Sequence, residues 1–226
     1  MAKTTLTIWC LIIYFLYSSF HVHGQDHKYA IGFGGSYDKY IFHFKPYNYL
    51  PDNYGKTDAY SIGLIFQDHF SEKFSFQTGL LYSLKDHNFD WGNTGYLDPP
   101  YGVNFTLTNL QTHYLKIPFL INYKYIRQLN FNLNISTGII NELLIGKEEI
   151  SYYKGYLWGE TDFIKHYLAG YLISAQVNLG FEYFIHKKFS ISIEPYFNIG
   201  LNKIDKERMS SNALSYGLIT NIIYHK

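Results

Sequence analysis

Ile173 to Phe184 reads ISAQVNLGFEYF, with Ile, Ala, Val, Leu, Phe and Tyr at the odd positions and Ser, Gln, Asn, Gly and Glu at the even ones up to the final Phe. A period of two over that length is that of an extended strand with one apolar and one polar face. The pattern recurs in Phe189 to Leu201 (FSISIEPYFNIGL), Phe74 to Lys85 (FSFQTGLLYSLK), Leu115 to Tyr125 (LKIPFLINYKY) and Phe131 to Glu142 (FNLNISTGIINE). Between Tyr29 and Tyr224 the chain supports eight strands, at roughly 28–36, 59–67, 74–85, 112–125, 130–142, 171–184, 189–201 and 213–224. Segments of about ten alternating residues separated by turns are the signature of a transmembrane β-barrel.

The connectors sort by length. Three are tight, at His69–Lys73, Ile126–Leu129 and Ile185–Lys188. Four are long, at Tyr37–Asp58, Asp86–Gln111, Leu143–Gly170 and Asn202–Asn212. They alternate strictly, which is the layout of short periplasmic turns and long external loops. The expected fold is therefore all-β, an eight-stranded antiparallel up-and-down barrel with both termini in the periplasm.

Which face meets lipid follows from composition. The less apolar register holds Gly32, Gly34, Gln77, Ser83, Asn122, Asn130, Asn132, Ser136, Gln176, Asn178, Ser192, Asn198 and Asn221. A solvated outer surface would carry Lys and Glu there instead. Small amides and glycines suit a narrow interior. The opposite register, with Phe74, Leu80, Phe119, Ile135, Val177, Leu179, Ile191 and Phe197, is then the lipid face. Aromatic residues gather at strand ends: Phe74, Tyr123, Tyr125, Tyr183 and Phe189 near the tight turns, and Tyr82, Tyr114 and Tyr171 near the outer rim. Such rings favour membrane interfaces. Pro118 and Pro195 fall inside strands, where each is expected to mark a bulge. A soluble secreted or periplasmic small-ligand-binding barrel is the alternative architecture, and it would invert the faces.

At the N-terminus, Lys3 and the apolar stretch Leu6–Tyr17 read as a secretory signal peptide over residues 1–24, leaving a barrel domain over 25–226 that begins at Gln25. The mature part has about 200 residues, enough for one β domain. Cys10 is the only cysteine and lies in the signal, so the mature chain has no thiol chemistry and no disulfide framework. Aromatic residues make up 20% of the chain and charged residues 16%, while a net charge of +1 offers no basic stripe for nucleic acid.

Six charged residues share the inward register: Lys85, Lys116, Lys124, Glu142, Glu182 and Glu194. Buried charges are costly unless paired, so Lys116 is expected to pair with Glu194 and Lys124 with Glu182 as part of a polar plug. The ten histidines show no spacing that builds a metal site. Ser83, His113 and Asp86 are the nearest approach to a hydrolase constellation, but the registers point His113 outward and Ser83 inward. The expectation is of no enzyme, no cofactor and no metal. Function falls to the external loops, where Tyr40, Tyr47, Tyr49, Tyr153 and Trp158 are candidates for contact with a protein or glycan partner.

The stretch Tyr114-Leu115-Lys116-Ile117-Pro118, the opening Ile31-Gly32-Phe33-Gly34-Gly35, the stretch Gly180-Phe181-Glu182-Tyr183, and Pro195-Tyr196 with Gly200-Leu201 resemble the hallmarks of the Bacteroidota-type outer-membrane β-barrel family often called PorT-like. The likeness runs over essentially all of 25–226. It implies an integral protein of the bacterial outer membrane, in contact with lipid. The namesake branch serves protein secretion and transport to the cell surface, which makes an accessory role in secretion an expectation here. No motif singles out that branch. The C-terminus departs slightly, since Tyr224 is followed by His225-Lys226 where such barrels stop on an aromatic.

Overall fold

The computed structural model describes residues 28–44, 53–90, 105–153, 156–160, 169–202 and 213–226. Its strands are β1 (Lys28–Phe44), β2 (Asn53–His69), β3 (Phe74–Asp90), β4 (Phe105–Arg127), β5 (Phe131–Tyr153), β6 (Tyr156–Glu160), β7 (Tyr171–His186), β8 (Phe189–Gly200) and β9 (Leu214–His225). They form one sheet in the order β4-β3-β2-β1-β9-β8-β7-β5-β6, and β4 also pairs with β5, so eight strands close a ring. The seam between first and last strands is zipped from Ala30 opposite His225 to Ile41 opposite Leu214. Short β6 lies outside the ring, as a hairpin on the upper end of β5. The expected signal segment 1–24 and the start at Gln25 lie outside the described residues.

Closure leaves no edge among the eight strands of the ring and pairs their backbone within the protein, as hydrocarbon requires. Following partners once around from Tyr40 through Ser215, Asn198, Gln176, Gly138, Leu120, Gln77 and Gln67 returns to β1 at Ala30, ten residues from the start. A stagger of this kind goes with strands tilted about 35–45° from the barrel axis.

The faces fall as the alternation predicts. Leu64 and Leu179 are 60% and 59% exposed on the outside, while Asn178 and Ser192 are 1% exposed within. Asn130 is an exception: it sits in the turn after β4 and is exposed, because the strand ends at Arg127. Near the tight turns, Phe74 packs on Tyr123 with ring centroids 5.0 Å apart and Phe189 on Tyr224 at 5.1 Å. At the opposite border Tyr37 lies against Tyr60 at 5.3 Å and donates to Asp58 at 2.7 Å, and Tyr82 bonds His113 at 2.5 Å. Tyr114, expected in that outer girdle, instead points inward and is fully buried.

Two further expectations are corrected. The strands outrun their hydrophobic pattern, since β1, β3, β4 and β5 continue well into stretches read as loops. Above the apolar band the outer register no longer meets lipid and accepts Lys39, Asp58 and Asp86, so the alternation fades while the backbone ladder continues. Neither internal proline makes a bulge. Thr78 opposite Phe119 and Leu81 opposite Lys116 keep one register across Pro118, as Asn178 opposite Tyr196 and Phe181 opposite Ile193 do across Pro195. Each proline lacks an N–H and interrupts the ladder on one side only, while its other edge stays paired, with Ile140 and Leu218 respectively. Shifts of register occur elsewhere, at His113/Tyr114, Lys124/Ile126 and Phe184/His186 among others.

Candidate functional site

Inside the ring, toward the outer end, side chains from five strands meet on the axis. Lys85 of β3 forms an ion pair with Glu142 of β5. The Lys85 ammonium also lies over two aromatic faces, 4.2 Å from the centroid of Tyr40 on β1 and 4.7 Å from that of Tyr114 on β4. Tyr40 Oη donates to Glu142 Oε1 over 3.4 Å. Beside this group Lys116 Nζ stands 3.5 Å from Asp38 Oδ2 and 5.7 Å from the ring centroid of Tyr196 on β8. Two cations thus offset two carboxylates, with aromatic faces replacing part of the lost hydration. His87 on β3 lies next to Lys85 in the inward register, its Nδ1 2.7 Å from Thr57 Oγ1 and its Nε2 3.0 Å from Thr112 Oγ1.

Toward the periplasmic end the network is amide-based. Glu194 accepts from Asn178 Nδ2 at 3.1 Å, Ser192 Oγ at 3.0 Å and Asn221 Nδ2 at 3.1 Å. Glu182 accepts from Asn132 Nδ2 at 2.9 Å and Ser190 Oγ at 2.7 Å, and lies 3.2 Å from His225 Nε2. A third group links Gln67 to Gln77 at 2.9 Å and Asn122 to both Ser75 and Gln77. Alternation on every strand delivers these groups to one interior, where the Glu182 and Glu194 oxygens find protein donors in place of water.

The chain matches the family of the outer membrane protein beta-barrel domain over residues 23–206. The chain belongs to that family. Among solved structures it is similar to the outer membrane protein OprG from Pseudomonas aeruginosa, at 10% identity over 88% of this chain and 96% of that one, with a TM-score of 0.50. It is also similar to Neisserial surface protein A, at 12% identity over 87% and 96% with a TM-score of 0.44. A third likeness is to Ail, the attachment invasion locus protein of Yersinia pestis, at 10% identity over 89% and 100% with a TM-score of 0.39. At these identities the likeness concerns fold alone. No curated protein matches the chain. As a member of this outer-membrane family, with its apolar register turned outward, the protein sits in the lipid of the bacterial outer membrane, and the soluble alternative falls away.

Within this outer-membrane barrel the residues singled out from sequence are redistributed. Lys116, Glu194 and Glu182 are buried inside and Lys124 is half-buried, but the expected partners do not meet. Lys116 pairs with Asp38, because the inward register of β1 continues into residues read as loop. Glu194 is satisfied by neutral donors from β7, β8 and β9. Glu182 lies 3.2 Å from His225 Nε2, and among the described residues Lys124 makes no salt bridge to it. Tyr40, proposed as a loop contact, is 8% exposed and faces the axis. Tyr47 and Tyr49 lie outside the described residues. Tyr153 ends β5 opposite Phe105, and Trp158 belongs to β6. His87, read as a loop residue, is enclosed in the barrel.

One constellation was not foreseen. Ser190 Oγ lies 2.8 Å from His225 Nε2, and Glu182 touches both. The same imidazole nitrogen faces serine and carboxylate, whereas a nucleophile-activating histidine uses one nitrogen for each. Ser190 is also fully enclosed, and the trio ties His225 at the end of β9 to β7 and β8. Ser83 bonds Ser61 at 3.0 Å inside while His113 bonds Tyr82 outside, so these two remain on opposite faces of the wall.

Proposed function

We propose that this barrel is a closed scaffold of the outer membrane, neither pore nor enzyme, whose work is done by what its tall external strands present to a partner outside the cell. In this reading residues 1–24 direct export and are removed. The observation that carries it is the cluster of Lys85, Glu142, Lys116 and Asp38 with Tyr40, Tyr114 and Tyr196, which fills the axis from five strands. Eight-stranded barrels have interiors just wide enough for side chains to fill, and aqueous channels belong to barrels of about twice that number. The likeness of Tyr114–Pro118 to PorT-like barrels supports the barrel itself, and an accessory role in delivering secreted proteins to the surface is one partner function compatible with it that no motif singles out. Purified protein in a planar lipid bilayer is expected to give no sustained conductance steps. Steady porin-sized steps from the folded monomer would overturn the closed-scaffold reading.

A further inference from the structure

Beside the charge cluster, at the outer ends of β7, β8 and β9, the wall forms a half-open recess of about 20 Å³ bordered by Tyr40, Lys85, Glu142, Asn198 and Ser215. Asn198 and Ser215 face each other across the β8–β9 ladder, and Ser215 is also paired with Tyr40. They are 3% and 1% exposed. Asn198 Oδ1 nonetheless has no hydrogen-bond partner among the described residues, and Ser215 Oγ has at most the neighbouring Tyr40 hydroxyl. Buried polar atoms almost always have partners, and ordered water commonly supplies those that protein does not.

The chemistry of the walls selects the guest. Asn198 Oδ1 can only accept, so the guest must donate. The Lys85 ammonium disfavours a cation and the Glu142 carboxylate an anion, and the two already neutralise each other. Ser215 Oγ both gives and takes a hydrogen bond. The volume exceeds the roughly 10–15 Å³ that one water oxygen needs and does not reach twice the upper figure. We propose that this recess is a binding site for a single neutral hydroxyl, which donates to Asn198 Oδ1 and exchanges a hydrogen bond with Ser215 Oγ beside the Lys85–Glu142 pair. In the free protein the hydroxyl is that of a water, and from outside it can be supplied by a polyol or sugar. The site stands on the geometry of the inner wall and is independent of what the external loops bind.

A high-resolution crystal structure of the full mature protein in detergent, grown without polyols, tests it. The expected result is a density peak within about 2.6–3.2 Å of both Asn198 Oδ1 and Ser215 Oγ, absent from the same crystals of Ser215→Ala. Soaking with glucose separates the sources. Density that extends from the peak toward the outer mouth assigns a sugar hydroxyl, and an unchanged spherical peak assigns water. An empty recess in the unsubstituted protein, a protein side chain occupying it, or a peak undisturbed by Ser215→Ala would overturn the site. If Ser215→Ala does not fold, the unsubstituted crystals alone decide.

Discussion

At Lys85 a fully enclosed ammonium has two aromatic faces and one carboxylate in place of its water. Removing only the carboxylate leaves the charge uncompensated. Glu142→Ala is therefore expected to cost about 3–5 kcal/mol in urea unfolding from lipid vesicles, and Lys85→Met combined with Glu142→Leu to recover most of that loss. A double variant as unstable as the sum of its singles would show that the pair is not coupled. The inward placement of Lys85, Lys116, Glu142, Glu182 and Glu194 was legible in the sequence, since period two assigns a face without knowing neighbours. Their partners were not. Which charges share a height depends on the stagger around the ring and on how far each strand runs, and Asp38 reached Lys116 only because β1 continues beyond its hydrophobic pattern.

Among the strands, existence and facing could be read from side chains, while length could not. Hydrophobic alternation reports contact with lipid, and backbone pairing persists after that contact ends, as at Lys39, Asp58 and Asp86. Proline was misread for a related reason: a missing donor breaks bonds on one edge without adding a residue, so Pro118 and Pro195 interrupt the ladder and preserve its register. Glycine has a firmer meaning here. A Cβ at Gly138 would stand 2.9 Å from Leu120 Cα on the neighbouring strand, and nothing there is a flexible side-chain end that can yield. Gly138→Val is expected to prevent closure of β4 on β5, seen as loss of the heat-modifiable band on gels. A fully heat-modifiable Gly138→Val protein would show that the two strands can part without penalty.

For the whole molecule, one topology follows from the ring and its connectors. All tight turns lie at the end that carries the C-terminus, and the ends of β1, β3, β5 and β8 reach the other side. An epitope tag placed after Asn93 is expected to bind antibody on intact cells, and one placed after Lys187 only after the outer membrane is permeabilised. The reverse pattern would invert the barrel. Closure, burial of polar groups and outward exposure of Leu64, Leu179 and Ile222 are then aspects of one arrangement, in which lipid and lumen exchange the roles that water and core hold in a soluble barrel. Cysteine-substituted, spin-labelled proteins in lipid vesicles, scanned singly from Ile173 to Phe184, test that arrangement most directly. Collision with dissolved oxygen is predicted to peak at 173, 175, 177, 179, 181 and 183 and to drop at the positions between. A maximum at the even positions, or access of a water-soluble relaxant to the odd ones across the middle of β7, would contradict it.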